Sequence, residues 1–307
     1  MTSRAGPGAF RRLDLQVQRR LDGLLAGEHR GLRLGPGSEA EELTRYQPGD
    51  DVRRIDWNVT ARAGQPHVWR TRADQALDTW LLVDQTASMS FGTATSEKVD
   101  LADELGAAVG LLSDGPGNRL GVVTFGVDGL TWARPVAGRV AAQRAMRPPS
   151  HRPRNGSPTL GLAAAIDALG RAHRRPGVRV IVSDLLDPTG QTERPFDWEP
   201  ALRRLATRHE VVVFEVLDPR ELELPDVGHL VLVDPETGRR RDVPTGDPRL
   251  RARYAGAATA QRAAVASAVK ACGAAHVRLR TDRDWVADLA RAIRSRRTTP
   301  VRRRRVR

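Results

Sequence analysis

Two aspartates in this 307-residue sequence stand at places where chemistry is expected. Asp84 closes the apolar run Trp80-Leu81-Leu82-Val83, and Asp184 follows Val180-Ile181-Val182-Ser183. Thr86 and Ser88 come directly after Asp84, so one carboxylate and two hydroxyls occupy alternate positions in Asp84-Gln85-Thr86-Ala87-Ser88. On a tight strand-to-helix loop such oxygens can converge on one point. Neutral hydroxyls with one or two carboxylates make a hard-oxygen set, suited to Mg²⁺ or Mn²⁺ rather than zinc. An ion held by so few protein charges stays electrophilic and keeps exchangeable waters. Its natural incoming ligand is an Asp or Glu of another protein.

The elements that must position these residues follow from the hydrophobic pattern. From residue 76 onward, apolar strand-like runs alternate with helical stretches. Strands are expected at Thr79 to Asp84, Arg119 to Phe125, Gly129 to Val136, Val178 to Ser183, Val211 to Leu217 and His276 to Leu279. Helices are expected at 97–113, 159–173, 199–208, 248–271 and 284–296. Continuous apolar strands indicate a sheet covered on both faces, and the alternation implies right-handed crossovers. The fold class is therefore α/β, a doubly wound and mainly parallel sheet, in which ligands bind beyond the carboxyl ends of the strands near the switch in strand order. A hairpin insertion is expected near 228–243, around Asp234-Pro235-Glu236-Thr237-Gly238. Upstream, 9–25 has the spacing of an amphipathic helix. Residues 27–75, dense in Gly, Pro and charge, leave room only for short strands or turns, near 32–34 and 67–70. Three segments result: 1–75 packed on the core, a main domain at 76–292, and a basic tail at 293–307.

At the loop after Asp84 the sequence resembles a known family. Asp84-Gln85-Thr86-Ala87-Ser88 resembles the Asp-x-Ser-x-Ser motif of von Willebrand factor A domains, with the Thr86 hydroxyl in place of the first serine's. The resemblance implies a doubly wound fold of von Willebrand factor A type. It also implies a second loop supplying a threonine just before a helix, matched by Thr159, and a third supplying an aspartate at a strand end, matched by Asp184. Together Asp84, Thr86, Ser88, Thr159 and Asp184 would form a metal-ion-dependent adhesion site holding Mg²⁺ or Mn²⁺. Plainer roles stay open for each. Ser157 and Pro158 also read as an N-cap with Pro at the first helical position, leaving Thr159 structural. Asp184 or Asp187 could cap the segment that follows, and Ser88 to Ser90 could form a simple turn.

A second resemblance rests on Arg45-Tyr46-Gln47-Pro48-Gly49-Asp50-Asp51-Val52-Arg53-Arg54-Ile55-Asp56-Trp57-Asn58, followed by Ala61-Arg62. This stretch is similar to the signature of the bacterial domain-of-unknown-function-58 family, whose members carry it directly upstream of a von Willebrand A-like core. The resemblance implies work as an adaptor or co-chaperone of a MoxR-type AAA+ ATPase. Physically, Asp50, Asp51 and Asp56 among Arg45, Arg53, Arg54 and Arg62 suggest a bridged network with Ile55 and Trp57 packed beneath. It would serve either as a rigid lid or as a partner surface.

Other classes find less support. There is no phosphate-cradling Gly loop followed by Lys and Ser/Thr, no Gly-x-Ser-x-Gly, and no His-Glu-x-x-His among the seven histidines. His29, His151, His173 and His209 lie in polar surroundings and read as surface residues. One cysteine, Cys272, excludes an internal disulfide or a Cys-based zinc cluster and reads as a small buried apolar group. The net charge of +13 is concentrated in the tail: eight arginines and no acid fall in 294–307, which leaves +5 for the rest. The tail could touch nucleic acid or an anionic membrane surface; a binding protein of that kind is one alternative, and a metal-dependent hydrolase is another. Metal-assisted hydrolysis would need a base beside the ion, and no clear candidate stands out. No apolar run reaches the roughly 20 residues of a membrane-spanning helix, and no secretory pattern opens the chain. The expectation is a cytoplasmic, non-enzymatic binding protein.

Overall fold

The computed structural model describes residues 41–47, 52–71, 78–93, 96–113, 118–126, 128–137, 140, 160–187, 189–233 and 238–297. The expected helix at 9–25, the short strand near 32–34, Thr159, His29, His151 and the Arg-rich tail beyond residue 297 lie outside the described residues. The described chain opens with β1 (Glu41–Arg45), a 3₁₀ turn (Val52–Arg54), α1 (Trp57–Ala63) and β2 (His67–Thr71). Then come β3 (Asp78–Gln85), a second 3₁₀ turn (Ala87–Ser90), α2 (Lys98–Leu112), β4 (Arg119–Gly126) and β5 (Gly129–Val136). Next are α3 (Leu162–Ala172), β6 (Val178–Ser183), α4 (Glu199–Arg208), β7 (Glu210–Leu217) and the single turn α5 (Pro219–Leu222). The hairpin β8 (His229–Val233) and β9 (Arg240–Pro244), α6 (Pro248–Ala271), β10 (Ala275–Arg280) and α7 (Trp285–Arg297) complete it.

Six strands form one sheet in the order β10-β7-β6-β3-β4-β5, with β5 antiparallel and the rest parallel. The expected mainly parallel, doubly wound α/β sheet is the one observed. Alternation along each strand divides the core between two faces. Leu81 and Val83 of β3 join Leu101 and Leu105 of α2 and Val286 and Leu289 of α7. Trp80 and Leu82 join Ile166 of α3, Leu202 of α4 and Val265 of α6 on the opposite face. Because both faces are apolar, burial supplies the dominant stabilisation and the sequence shows continuous apolar strands. From β3 the chain winds first toward β4, then returns to β6 and continues away through β7 and β10. The switch in direction thus falls between β3 and β6, the strands that carry Asp84 and Asp184 at their carboxyl ends.

Four expectations need correction. Residues 57–63 are a helix rather than a turn. Asp56 caps it by accepting from the Asn58 and Val59 amides at 3.0 Å, and Gly64 ends it at φ 68. That conformation suits a residue without Cβ. Trp57 is not packed beneath an ion network, since it is 70% exposed; the side chain that anchors this region is Val68, paired with Ile55 across an isolated bridge. The surface assignment fails for one of the histidines, and a second is half-buried. His209, the residue after α4, is 6% exposed, and burial with the nearby Arg179 charge pushes its imidazole down to about 4. His173 stacks on Trp80 with ring centroids 3.6 Å apart. Helix α3 also begins later than expected, with Gly161 as its N-cap. The β8–β9 hairpin and the burial of Cys272 at the end of α6 agree with expectation.

Candidate functional site

The carboxyl ends of β3 and β6 place Asp84 and Ser183 beside one another, because the parallel register pairs Val83 with Val182. The Ser183 hydroxyl donates to Asp84 Oδ2 at 2.6 Å. Asp84 Oδ1 accepts from the Thr86 amide at 2.9 Å and the Thr86 hydroxyl at 2.7 Å. Thr86 Oγ1 lies 3.0 Å from Ser88 Oγ, and Ser88 in turn hydrogen-bonds Asp184. The four expected residues Asp84, Thr86, Ser88 and Asp184 are therefore joined in one hydrogen-bonded chain, and all four are buried. Thr159, the fifth, is outside the described residues; the segment resumes at Leu160, whose amide bonds Gly126 at the end of β4.

Local geometry explains the convergence. The 3₁₀ turn at Ala87–Ser90 curls the chain back so that the hydroxyls at alternate positions face Asp84. Gly92 then lets the backbone pass close to the start of α2, where an added Cβ would lie 2.4 Å from Glu97 Cα. Leu185 has φ 56, a left-handed conformation unusual for a branched side chain and costing roughly 1–2 kcal/mol. It turns the Leu186 amide onto Asp184 Oδ1 at 3.1 Å, and the Leu185 amide onto Ser183 Oγ at 3.0 Å. Strain of this kind persists where the surroundings fix it, and it concentrates at functional sites.

Three charged residues at the site were not singled out from the sequence. Lys98, the first residue of α2, is 0% exposed. Its Nζ is 2.7 Å from Asp184 Oδ2 and 2.5 Å from Glu221 Oε1 on α5. Asp218 directly follows β7 and accepts from the Thr93 amide at 2.9 Å, the Thr93 hydroxyl, the Arg220 amide at 2.9 Å and the Thr281 hydroxyl at 3.1 Å. It thereby ties the loop after Ser88 to the neighbouring strand ends. Asp218-Pro219-Arg220-Glu221 is a capping box at the end of an apolar strand, a legible signal of a third strand-end acid. Lys98 left a fainter one, as one of only two lysines in an arginine-rich chain.

The electrostatics are those of crowded buried acids. Burial, with the adjacent Asp184 carboxylate, pushes Asp84 up to about 7 against its hydrogen bonds from Ser183 and Thr86. Burial would raise Asp184 too, but the Lys98 ammonium holds it below the ordinary carboxylate range. Glu221 is raised by burial and by Asp184, against the pull of Lys98. Among the described residues no three His, Cys, Asp or Glu side chains are grouped to hold a metal by themselves. A cation would have to use the hydroxyls. Oxygen-only donors with two carboxylates and two hydroxyls in one cluster fit a small hard divalent ion such as Mg²⁺ or Mn²⁺.

Fold and site together define a doubly wound α/β protein with an acid- and hydroxyl-lined cluster at the switch point of its sheet. The chain belongs to the family described as protein of unknown function DUF58, whose model matches residues 42–264. An uncharacterized protein of Mycobacterium tuberculosis, Rv1480, is 49% identical over 290 residues, covering 94% of this chain and 89% of that protein. Among solved structures, the chain is similar to the conserved hypothetical protein BatB from Bacteroides thetaiotaomicron. The identity is 14%, with 73% of this chain and 100% of that one covered and a TM-score of 0.42. It is also similar to a von Willebrand factor type A protein from Catenulispora acidiphila, at 15% identity, 72% of this chain, 42% of that one and a TM-score of 0.38. No helix among the described residues is long and apolar enough to cross a membrane.

Proposed function

We propose that this protein is a non-enzymatic, metal-dependent binding adaptor working in the cytoplasm. In this reading Asp84, Thr86 and Ser88 hold Mg²⁺ or Mn²⁺, with Asp184 and Thr159 completing the set. The ion docks an Asp or Glu side chain of a partner protein. The observation that carries the proposal is the unbroken hydrogen-bonded chain from Asp84 through Thr86 and Ser88 to Asp184, at the sheet's switch point. Two buried carboxylates so linked are a poor arrangement for stability alone, since desolvated like charges repel. A divalent ion would relieve that repulsion and leave room for an incoming carboxylate. The partner implied by the family resemblance is a MoxR-type AAA+ ATPase, with this chain as adaptor or co-chaperone.

The test is affinity capture from native lysate with wild type and Asp84→Ala, each with Mg²⁺ and with EDTA. Recovery of an AAA+ ATPase by wild type in Mg²⁺, and its loss in the other three conditions, is the expected result. Equal recovery in all four conditions refutes the metal-dependent docking.

A further inference from the structure

We propose that Lys98 is a resident counter-ion that sets how tightly, and with what charge preference, this site holds a cation; the inference rests on the metal-docking reading above. Lysine is among the residues least often fully buried. The first position of a helix is also the wrong end for a cation, because the helix dipole is positive there. Lys98 is nevertheless completely enclosed at that position. What holds it are Asp184 at 2.7 Å, just past the end of β6, and Glu221 at 2.5 Å, on α5.

The ammonium and the hydroxyl cluster draw on the same carboxylate. Asp184 receives Lys98 on one oxygen while Ser88 reaches it from the Asp84 side. Any cation bound by Asp84, Thr86 and Ser88 must share the negative charge of Asp184 with Lys98. Formal charges sharpen the point. Asp84, Asp184 and Glu221 carry three negative charges when ionised, and Lys98 offsets one. The remaining two match a single divalent ion. Without Lys98 the cluster would carry three, favouring tighter binding and ions of higher charge. Lysine suits the role better than arginine because its compact ammonium fits between two carboxylates as a point charge. Lys98 is thus a specificity-determining residue, with no direct bond to the cation required of it.

The test is calorimetric titration of the full chain with Mn²⁺ and with Tb³⁺, in wild type, Lys98→Gln, Lys98→Met and Asp84→Ala. Removing a unit charge roughly 6–10 Å from a divalent ion, at an effective dielectric of about 20, corresponds to roughly hundred- to ten-thousand-fold in affinity. Both Lys98 variants are expected to bind Mn²⁺ tighter by that factor and to gain more for Tb³⁺, while Asp84→Ala loses binding. Loss in Asp84→Ala together with equal or weaker binding in the Lys98 variants overturns the counter-ion role and leaves the docking reading standing. Binding unaffected by Asp84→Ala, or absent from wild type and both Lys98 variants, overturns both. If a Lys98 variant is unfolded without metal, thermal melts with Mn²⁺ decide: refolding supports the proposal, and a chain that stays unfolded at saturating Mn²⁺ overturns it.

Discussion

Replacing Asp218 with alanine removes a fully buried carboxylate that receives four hydrogen bonds from three segments of chain. The losses differ by place. Thr93 and Arg220 are exposed, so their donors regain water and each bond costs about 1 kcal/mol net. Thr281 is buried, and the loss of its hydroxyl's bond to this carboxylate costs about 1–3 kcal/mol. The cap of α5 adds a fraction of the roughly 1 kcal/mol usual for such residues. Asp218→Ala should therefore destabilise the chain by about 4–7 kcal/mol, a large part of a typical total of about 5–15 kcal/mol. Urea denaturation should show the midpoint falling with an unchanged slope, and Tm should drop by roughly 10 °C. Asp218→Asn keeps one acceptor but turns an amide N–H toward an existing donor, so about half the loss is expected. A change below 1 kcal/mol in Asp218→Ala would refute the idea that this residue clamps the site loop to the sheet.

Three further outcomes follow from the same geometry. Asp84→Asn should leave the stability of the metal-free chain within about 1 kcal/mol of wild type, since it removes a buried charge beside Asp184. Mg²⁺ at a hundred times its Kd should add about 2.7 kcal/mol to wild type and nothing to the variant in thermal melts. Asp103, crowded in α2 and pushed by burial, then by Asp100 and Glu104, up to about 8, is protonated in the folded chain and ionised in the unfolded one between about pH 4 and 8. Stability should fall as pH rises through that window; Asp103→Asn should gain about 1–3 kcal/mol at pH 8.5 and nothing near pH 4 by urea titration. Glu215 is buried against Arg262 at 3.0 Å and Arg278 at 3.1 Å, and Arg262 also donates to the Asp184 carbonyl at 2.9 Å. Glu215→Ala should cost about 3–5 kcal/mol in chemical denaturation, because it leaves two cations without their shared acid; a loss under 1 kcal/mol would contradict this.

Much of the fold is legible in the sequence wherever burial dictates pattern. Val178–Ser183 and Glu199–Arg208 are bounded as their apolar spacing indicates. The α6 boundaries follow from Asp247-Pro248 at one end and Gly273 near the other. The α1 helix escapes because it has no apolar stripe. None of its residues is buried, and only its caps, Asp56 and Gly64, mark it. Trp57 misleads for a related reason, since a large aromatic among charges suggests a small core that does not form there. His209 is buried by α4 meeting the sheet, which no local spacing reveals. At the site, Asp84, Thr86 and Ser88 are readable because their geometry is local. The partnerships of Lys98 with Asp184 and Glu221, and of Thr93 with Asp218, span 86, 123 and 125 positions. Contacts that distant depend on strand order, which a single sequence encodes only through the whole fold.

The most direct test is anomalous diffraction from crystals grown or soaked with Mn²⁺. A single Mn²⁺ peak in coordination contact with Thr86 Oγ1, Ser88 Oγ and an Asp84 oxygen or its bound water is the expected result. A peak elsewhere, or none at Mn²⁺ concentrations that saturate the calorimetric signal, would contradict the metal-dependent docking site.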